Sequence, residues 1–180
     1  ELAGFYHKRR PFYSGSDQLV FGHETSKDAR DAIRKYAWPR RNTPTIVSLS
    51  ISRGDQLSVL AAFDVGGFFS WESTTGTFDR HAFHEAFRTK IAPYLNSGPI
   101  PRSIVILDNA KIHMYPELEE LVHSRGSILL FLPPYSPQLN PIEVGFSLLK
   151  GWITRHASLA FHQDPNRTLD VALKNVHQKT

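Results

Sequence analysis

Two carboxylates of this sequence stand where side chains do chemistry. Asp108 ends the apolar run SIVIL (103–107), and Glu143 follows the proline-rich stretch PPYSPQLNP (133–141). The 34 residues 109–142 lie between them. A carboxylate at the C-terminal end of a strand in an open sheet faces the crevice where ligands bind. The pair Asp108-Asn109 is equally a common turn start. Glu143 falls in the first turn of a helix, three residues after Asn140, which is a capping-box pattern. A carboxylate there also suits the positive end of the helix dipole. The same cap and dipole would hold a metal-ligating carboxylate in one rotamer, so the two roles do not exclude each other. A third stretch, LVFGHETSKD (19–28), begins as a buried strand and turns polar at His23-Glu24, with Asp28 beyond. These three side chains want water, a metal or a partner.

The residues need a scaffold, and the hydrophobic periods supply one. QLVFG (18–22) reads as a buried strand. SKDARDAIRKYAWPRRN (26–42) is polar and basic, with a helical part that Pro39 stops. TIVSLSISR (45–53) alternates with period two and joins QLSVLAAFDVG (56–66) through a Gly54-Asp55 hairpin. FFSWES (68–73) follows Gly66-Gly67, so a three-strand antiparallel meander succeeds the first strand. The period then changes. Phe83, Phe87 and Ile91 recur at helical spacing, with Ala86 and Tyr94 beside them, and predict an amphipathic helix over 79–95. SIVILDN (103–109) is a strand, PELEELVHSRG (116–126) a short helix with Pro first and Gly last, and SILLFL (127–132) a strand. From Asn140 a helix starts with Pro141 at its first position, and Ile142, Phe146, Leu149 and Ile153 form its buried stripe. TLDVALKNVHQKT (168–180) is one more helix. Strands entered after a helix run parallel through crossovers, so the sheet is mixed and the class is α/β. This order matches an RNase H-like fold when one meander strand is an extension or an irregular edge.

The chain has 180 residues, enough for one domain with a substantial core. Its formal net charge of +4 permits nucleic acid as a partner without requiring it. With no cysteine, disulfides, thiolate zinc sites and a cysteine nucleophile are excluded. No apolar run has the length of a membrane span, and no signal-peptide pattern opens the chain. The abrupt start, ELAGFYHKRRPFY, reads like the middle of a longer protein with an upstream region missing.

LDNAKIH (107–113) and LPPYSPQLNPIEVGFSLLK (132–150) resemble the second and third signatures of the mariner-type transposase superfamily. The family's second motif resembles Asp-Asn-Ala-x-x-His, with Asp108 at its catalytic aspartate. The third resembles Tyr-Ser-Pro-x-Leu-Asn-Pro-Ile-Glu, with Glu143 at its catalytic glutamate. RKYAWPRRN (34–42) is similar to the family's Arg-Tyr-Gly-Trp-x-Pro segment, with Ala37 in the glycine's place. The resemblance covers roughly residues 18 to 155. It implies a retroviral-integrase-like (RNase H-like) core over 1–180. It also implies a separate N-terminal DNA-binding region, and a triad of acids holding two Mg²⁺ or Mn²⁺ ions that cut DNA and transfer its 3′-hydroxyl. DNA is the implied partner, and a homodimer the implied assembly. The nucleus is the implied location in a eukaryote, otherwise the cytoplasm, with no membrane attachment and no secretion.

The family's first strand ends in Asp-Glu, and here that pair is His23-Glu24. The first metal ligand is therefore expected to be a histidine. Mg²⁺ prefers oxygen, whereas imidazole suits softer ions. The change also removes a negative charge from between two dications. Mn²⁺, which tolerates nitrogen better, would restore part of the loss. The implied outcome is impaired catalysis, or a domesticated domain that binds DNA or protein without cutting. Glu24 is a poor substitute, because adjacent strand residues point to opposite faces. Asp28 would need its loop to fold back. Lys8, Arg9 and Arg10 form one basic cluster. Arg34, Lys35, Arg40 and Arg41 form a second, beside Tyr36 and Trp38, suited to tracking a phosphate backbone. Lys150, two helical turns past Glu143, is placed within reach of a phosphate. His113 either orders the loop of the second motif or is a surface residue.

Overall fold

The computed structural model describes residues 4–5, 11–27 and 56–177. Its five strands are β1 (Leu19–Lys27), β2 (Leu57–Asp64), β3 (Gly67–Thr75), β4 (Ile104–Leu107) and β5 (Ile128–Phe131). They lie in the order β3-β2-β1-β4-β5. Strands β1, β2 and β3 pair antiparallel, while β4 lies parallel to β1 and β5 parallel to β4. The hairpin between β2 and β3 turns where the glycines stand. Asp64 Oδ1 accepts the Gly66 N–H at 2.8 Å, and Gly67 takes φ +106°, which only glycine adopts freely. The segment expected as a strand over 45–53 and the Gly54-Asp55 hairpin lie outside the described residues, as do residues 28–42.

Helices cover both faces of the sheet. Period-two alternation sends Val20, Leu60, Ala62, Val105 and Leu107 to one face. There they meet Phe83 of α1 (Arg80–Ala86) and Leu118 and Val122 of α2 (Pro116–Ser124). Val59, Ala61 and Phe68 go to the other face. They meet Ile142, Phe146, Leu149 and Ile153 of α3 (Ile142–His156), the full expected stripe. Behind α3 pack α4 (Ser158–Gln163) and α5 (Pro165–His177). Strand β2 is buried along its first six residues because both layers close on it.

The helix expected over 79–95 is regular only at its start. Asp79 caps it by accepting the Ala82 N–H at 2.8 Å. From Phe87 to Ile91 the turn widens to a π-helix, and Ala92–Tyr94 tightens to a 3₁₀ turn. Pro93 explains the break, since it has no N–H to donate and its ring crowds the preceding turn. Phe83, Phe87 and Ile91 are buried as the period requires.

Helix α3 meets the aromatic side chains of β2 and β3 at residue 145, which has no side chain of its own. A Cβ there would fall 2.9 Å from Phe68 Cζ and 3.0 Å from Phe63 Cε2. Those rings pack on each other edge to face, 5.1 Å apart, so a side chain at 145 must displace that pair. Gly145→Val is therefore expected to destabilise the fold by about 1–3 kcal/mol through overpacking. Urea unfolding checks this as a lower midpoint with an unchanged m-value.

Candidate active site

The parallel pairing of β1 and β4 determines which side chains meet. Phe21 pairs with Ile106. Two residues further along each chain stand His23 and Asp108, at the same level and on the same side of the sheet. Glu143 comes to them from the first turn of α3. His23 Nε2 lies 2.9 Å from Glu143 Oε1, and His23 Nδ1 lies 3.4 Å from Asp108 Oδ2. The three side chains expected at one site are thus together, with the imidazole between the two carboxylates. The ring also leans on Phe146, with centroids 6.1 Å apart. The capping box expected of Asn140 and Glu143 is not formed. No side chain caps α3, and the buried Asn140 Oδ1 has no hydrogen-bond partner among the described residues. The Glu143 carboxylate faces His23 instead.

Glu24 points to the opposite face, as alternation requires, yet it still connects to the site. Its two carboxylate oxygens lie 2.9 and 3.1 Å from His113 Nε2. His113 Nδ1 in turn lies 2.6 Å from Asp108 Oδ1, although its N–H direction is poor for a hydrogen bond. His113 is only 1% exposed, which overturns the surface reading. Its ring packs on Phe83 at 4.5 Å. The spacing of the second motif explains the reach. Asp108 Oδ1 accepts the Ala110 N–H at 3.1 Å, and a 3₁₀ turn over Lys111–His113 folds the imidazole back under the strand end. Asp108 is therefore both a turn former and a member of the site.

Burial pulls the His113 pKa down, but the carboxylates of Asp108 and Glu24 outweigh it and push it up to about 9. Burial would raise the Asp108 pKa. The His113 contact, the Ala110 N–H and His23 more than compensate, so it lies below the usual carboxylate range. His113 is thus held as an imidazolium at neutral pH. The link from Glu24 to Asp108 was not legible in the sequence, since residues 24 and 113 belong to distant segments. The Asp-Asn-Ala-x-x-His spacing was the one available signal.

His23, Asp108 and Glu143 line a cavity of about 450 Å³ together with the proline loop from Leu132 to Pro137. Lys150 is half-buried on α3, with no described contact to this cavity. Arg34, Lys35, Arg40, Arg41, Asp28 and the cluster Lys8 to Arg10 lie outside the described residues.

A family model described as DDE superfamily endonuclease matches residues 18–164. The chain belongs to this family. No curated protein matches it significantly. Among solved structures, this DDE domain is similar to the catalytic domain of Mos1 transposase bound to raltegravir with Mg. The TM-score there is 0.58 at 14% identity, covering 98% of this chain and 84% of that one. It is similar to the catalytic core domain of BIV integrase, with TM-score 0.53 at 15% identity, covering 92% and 86%. It is also similar to Mos1 transposase in a paired-end complex with the left transposon end. That match has TM-score 0.52 at 17% identity and covers 99% of this chain but 56% of the other. These likenesses show the RNase H-like fold. The DDE domain spans about half the length of that paired-end-complex chain, and 49% of a chain of a simian T-cell lymphotropic virus intasome that it matches at TM-score 0.55 and 18% identity over 90% of its own length. No helix among its described residues is long and apolar enough to cross a membrane.

The donor set does not fit the Mg²⁺ that such a site implies. That ion wants near-octahedral oxygen ligation at about 2.0–2.1 Å. Here one of three positions offers nitrogen, and the ring of His23 spans the gap between the carboxylates. Among the described residues no group of three or more His, Cys, Asp or Glu side chains is placed to hold a metal ion.

The His113 contacts carry a pH signature in metal-free protein. The folded pKa, about 9, exceeds the ordinary histidine value of 6.5. The imidazolium therefore contributes stability that is fully present below about pH 6.5 and is lost as pH rises through about 9. The contribution is on the order of 3 kcal/mol. Denaturation in chelator from pH 6 to 9.5 should show this decline, and His113→Gln should remove it. A wild-type decline no steeper than the variant's would refute the pairing.

Proposed function

We propose that residues 1–180 form the catalytic core of a mariner-type DDE transposase whose metal-dependent DNA cleavage and strand transfer are suppressed by His23. One observation supports this reading most. Asp108 and Glu143 converge at one end of the sheet with the His23 imidazole between them. The convergence is the arrangement expected of a phosphoryl-transfer site, and the imidazole is what weakens it. A carboxylate offers a metal two anionic oxygens, whereas a neutral imidazole offers one nitrogen lone pair. In this reading DNA is the substrate and the domain works as a homodimer. Sequence-specific DNA binding is supplied by a region outside the core. Arg34, Lys35, Arg40, Arg41 and Lys150 contact phosphate. The work is done in the nucleus of a eukaryotic cell or the cytoplasm of a bacterial one.

The same bridge favours a second reading, a domesticated domain that engages DNA or a protein without cutting. The two differ in whether any metal-dependent turnover remains.

Calorimetric titration with Mn²⁺ separates them, using the chain, His23→Asp, and His23→Asp with Asp108→Ala. His23→Asp is expected to bind Mn²⁺ and to nick DNA about 10²–10⁴-fold faster than the chain, as a barrier lowered by about 3–5 kcal/mol requires. Asp108→Ala should abolish both properties. Slow but measurable Mn²⁺-dependent nicking by the chain supports a suppressed enzyme, and its absence supports the domesticated domain. Equal nicking by the chain and by His23→Asp would show that His23 suppresses nothing. Failure of every variant to bind would show that the site lies elsewhere.

A further inference from the structure

Asn140 is a buried polar side chain that the fold leaves without a use. It is 4% exposed, and its Oδ1 is shut away from solvent with no hydrogen-bond partner among the described residues. An unpaired buried carbonyl oxygen costs stability that an apolar side chain of similar size would not. The backbone around it, by contrast, is fully engaged. The Asn140 N–H donates to the Pro137 carbonyl at 2.9 Å, and the Asn140 carbonyl accepts the Glu143 N–H at 3.1 Å. Pro141 restricts the backbone of Asn140 further. The carboxamide is therefore fixed in place and tied to the turn that carries Glu143, yet it caps nothing.

That place borders the 450 Å³ cavity, which Asn140 lines together with His23, Asp108 and Glu143. With Oδ1 as the buried edge, the NH₂ edge is the one turned to the cavity. Among the described residues no Lys or Arg lines it. A cationic side chain there would be drawn into pairs with Asp108 and Glu143. A carboxamide is neutral, so its two N–H donors stay available beside those carboxylates. A phosphodiester brings only acceptor oxygens, and a fixed neutral donor is what it lacks in such a cavity.

We propose that the Asn140 carboxamide donates a hydrogen bond to a non-bridging oxygen of the DNA phosphodiester being cut. This rests on the reading of the domain as a DNA-cutting core. In strand nicking the oxygen of a water bonds to phosphorus, and the P–O bond to the leaving sugar breaks with its electron pair on the sugar oxygen. That oxygen takes one proton of the water, and solvent takes the other. Charge spreads meanwhile over the non-bridging oxygens. A fixed dipole aimed at them is stronger in the transition state than in the ground state, so Asn140 acts on the rate more than on binding.

The test reads rate, affinity and stability separately. Asn140→Leu is made in His23→Asp, and plasmid nicking is followed in Mn²⁺. The expected loss in kcat is about 10²–10³-fold, with KM for DNA held within about threefold. Asn140→Asp keeps the shape but replaces the NH₂ by an acceptor, and it should be at least as slow. In chelator, Asn140→Leu should keep its affinity for a fluorescent duplex. Its melting temperature should be no lower than that of the parent, because the unpaired oxygen is gone. If Asn140→Leu or Asn140→Asp nicks at the parental rate, the donor role is refuted while the DNA-cutting reading stands. A fall in melting temperature of more than about 4 °C for Asn140→Leu would show that the amide supports the fold, and the proposal fails. If His23→Asp itself nicks nothing, the DNA-cutting reading falls together with the proposal.

Discussion

Everything at the candidate site depends on one backbone constraint, the parallel pairing of β1 with β4. Three residue pairs, Leu19 with Ile104 to Phe21 with Ile106, set the level at which the strands leave the sheet. Because side chains alternate, that level decides which residue of His23-Glu24 faces α3 and which faces α1. A slip of one residue would exchange them. Glu24 would then face Glu143, and His23 would face the buried Phe83. The apolar run before His23 is thus a ruler as well as a core element, since its burial on both faces holds the register.

The same alternation links the two sides of the sheet. On one side His23 stands between Asp108 and Glu143. On the other, His113 stands between Asp108 and Glu24. Asp108 is the shared member, and its oxygens divide between the two imidazoles. The row carries three carboxylates, and the His113 imidazolium, almost fully buried, offsets one of them. The aromatic floor matters as much as the charges. Phe83 under His113 and Phe146 beside His23 keep both rings from swinging away. Substitutions in either hydrophobic layer should therefore be felt at the site.

Much of this was legible in the sequence because it depends on local period and punctuation. The buried stripe of α3, the switch from antiparallel to parallel strands and the strand-end position of Asp108 follow from residue spacing and the prolines. What escaped reading depends on contacts between distant segments or on backbone detail. Asn140 looked like a helix cap, yet its side chain does not cap α3, while the Glu143 carboxylate faces His23. His113 looked as much like a surface residue as an ordering one, because nothing near it in sequence shows that Glu24 comes within 3 Å. The widened turn at Phe87–Ile91 preserves the apolar spacing of a regular helix, so periodicity alone could not reveal it.

The histidine between the carboxylates has a consequence for how the fold relates to its surroundings. A site of three acids is self-repelling without cations, and its folded state gains stability in proportion to the logarithm of the ion concentration above its dissociation constant. Replacing one acid by an imidazole removes a negative charge from the cluster and lets a ring N–H donate to Glu143. The folded state then owes less of its stability to divalent ions. In the proposed reading, the histidine that blunts the chemistry thereby makes the scaffold less dependent on ion supply.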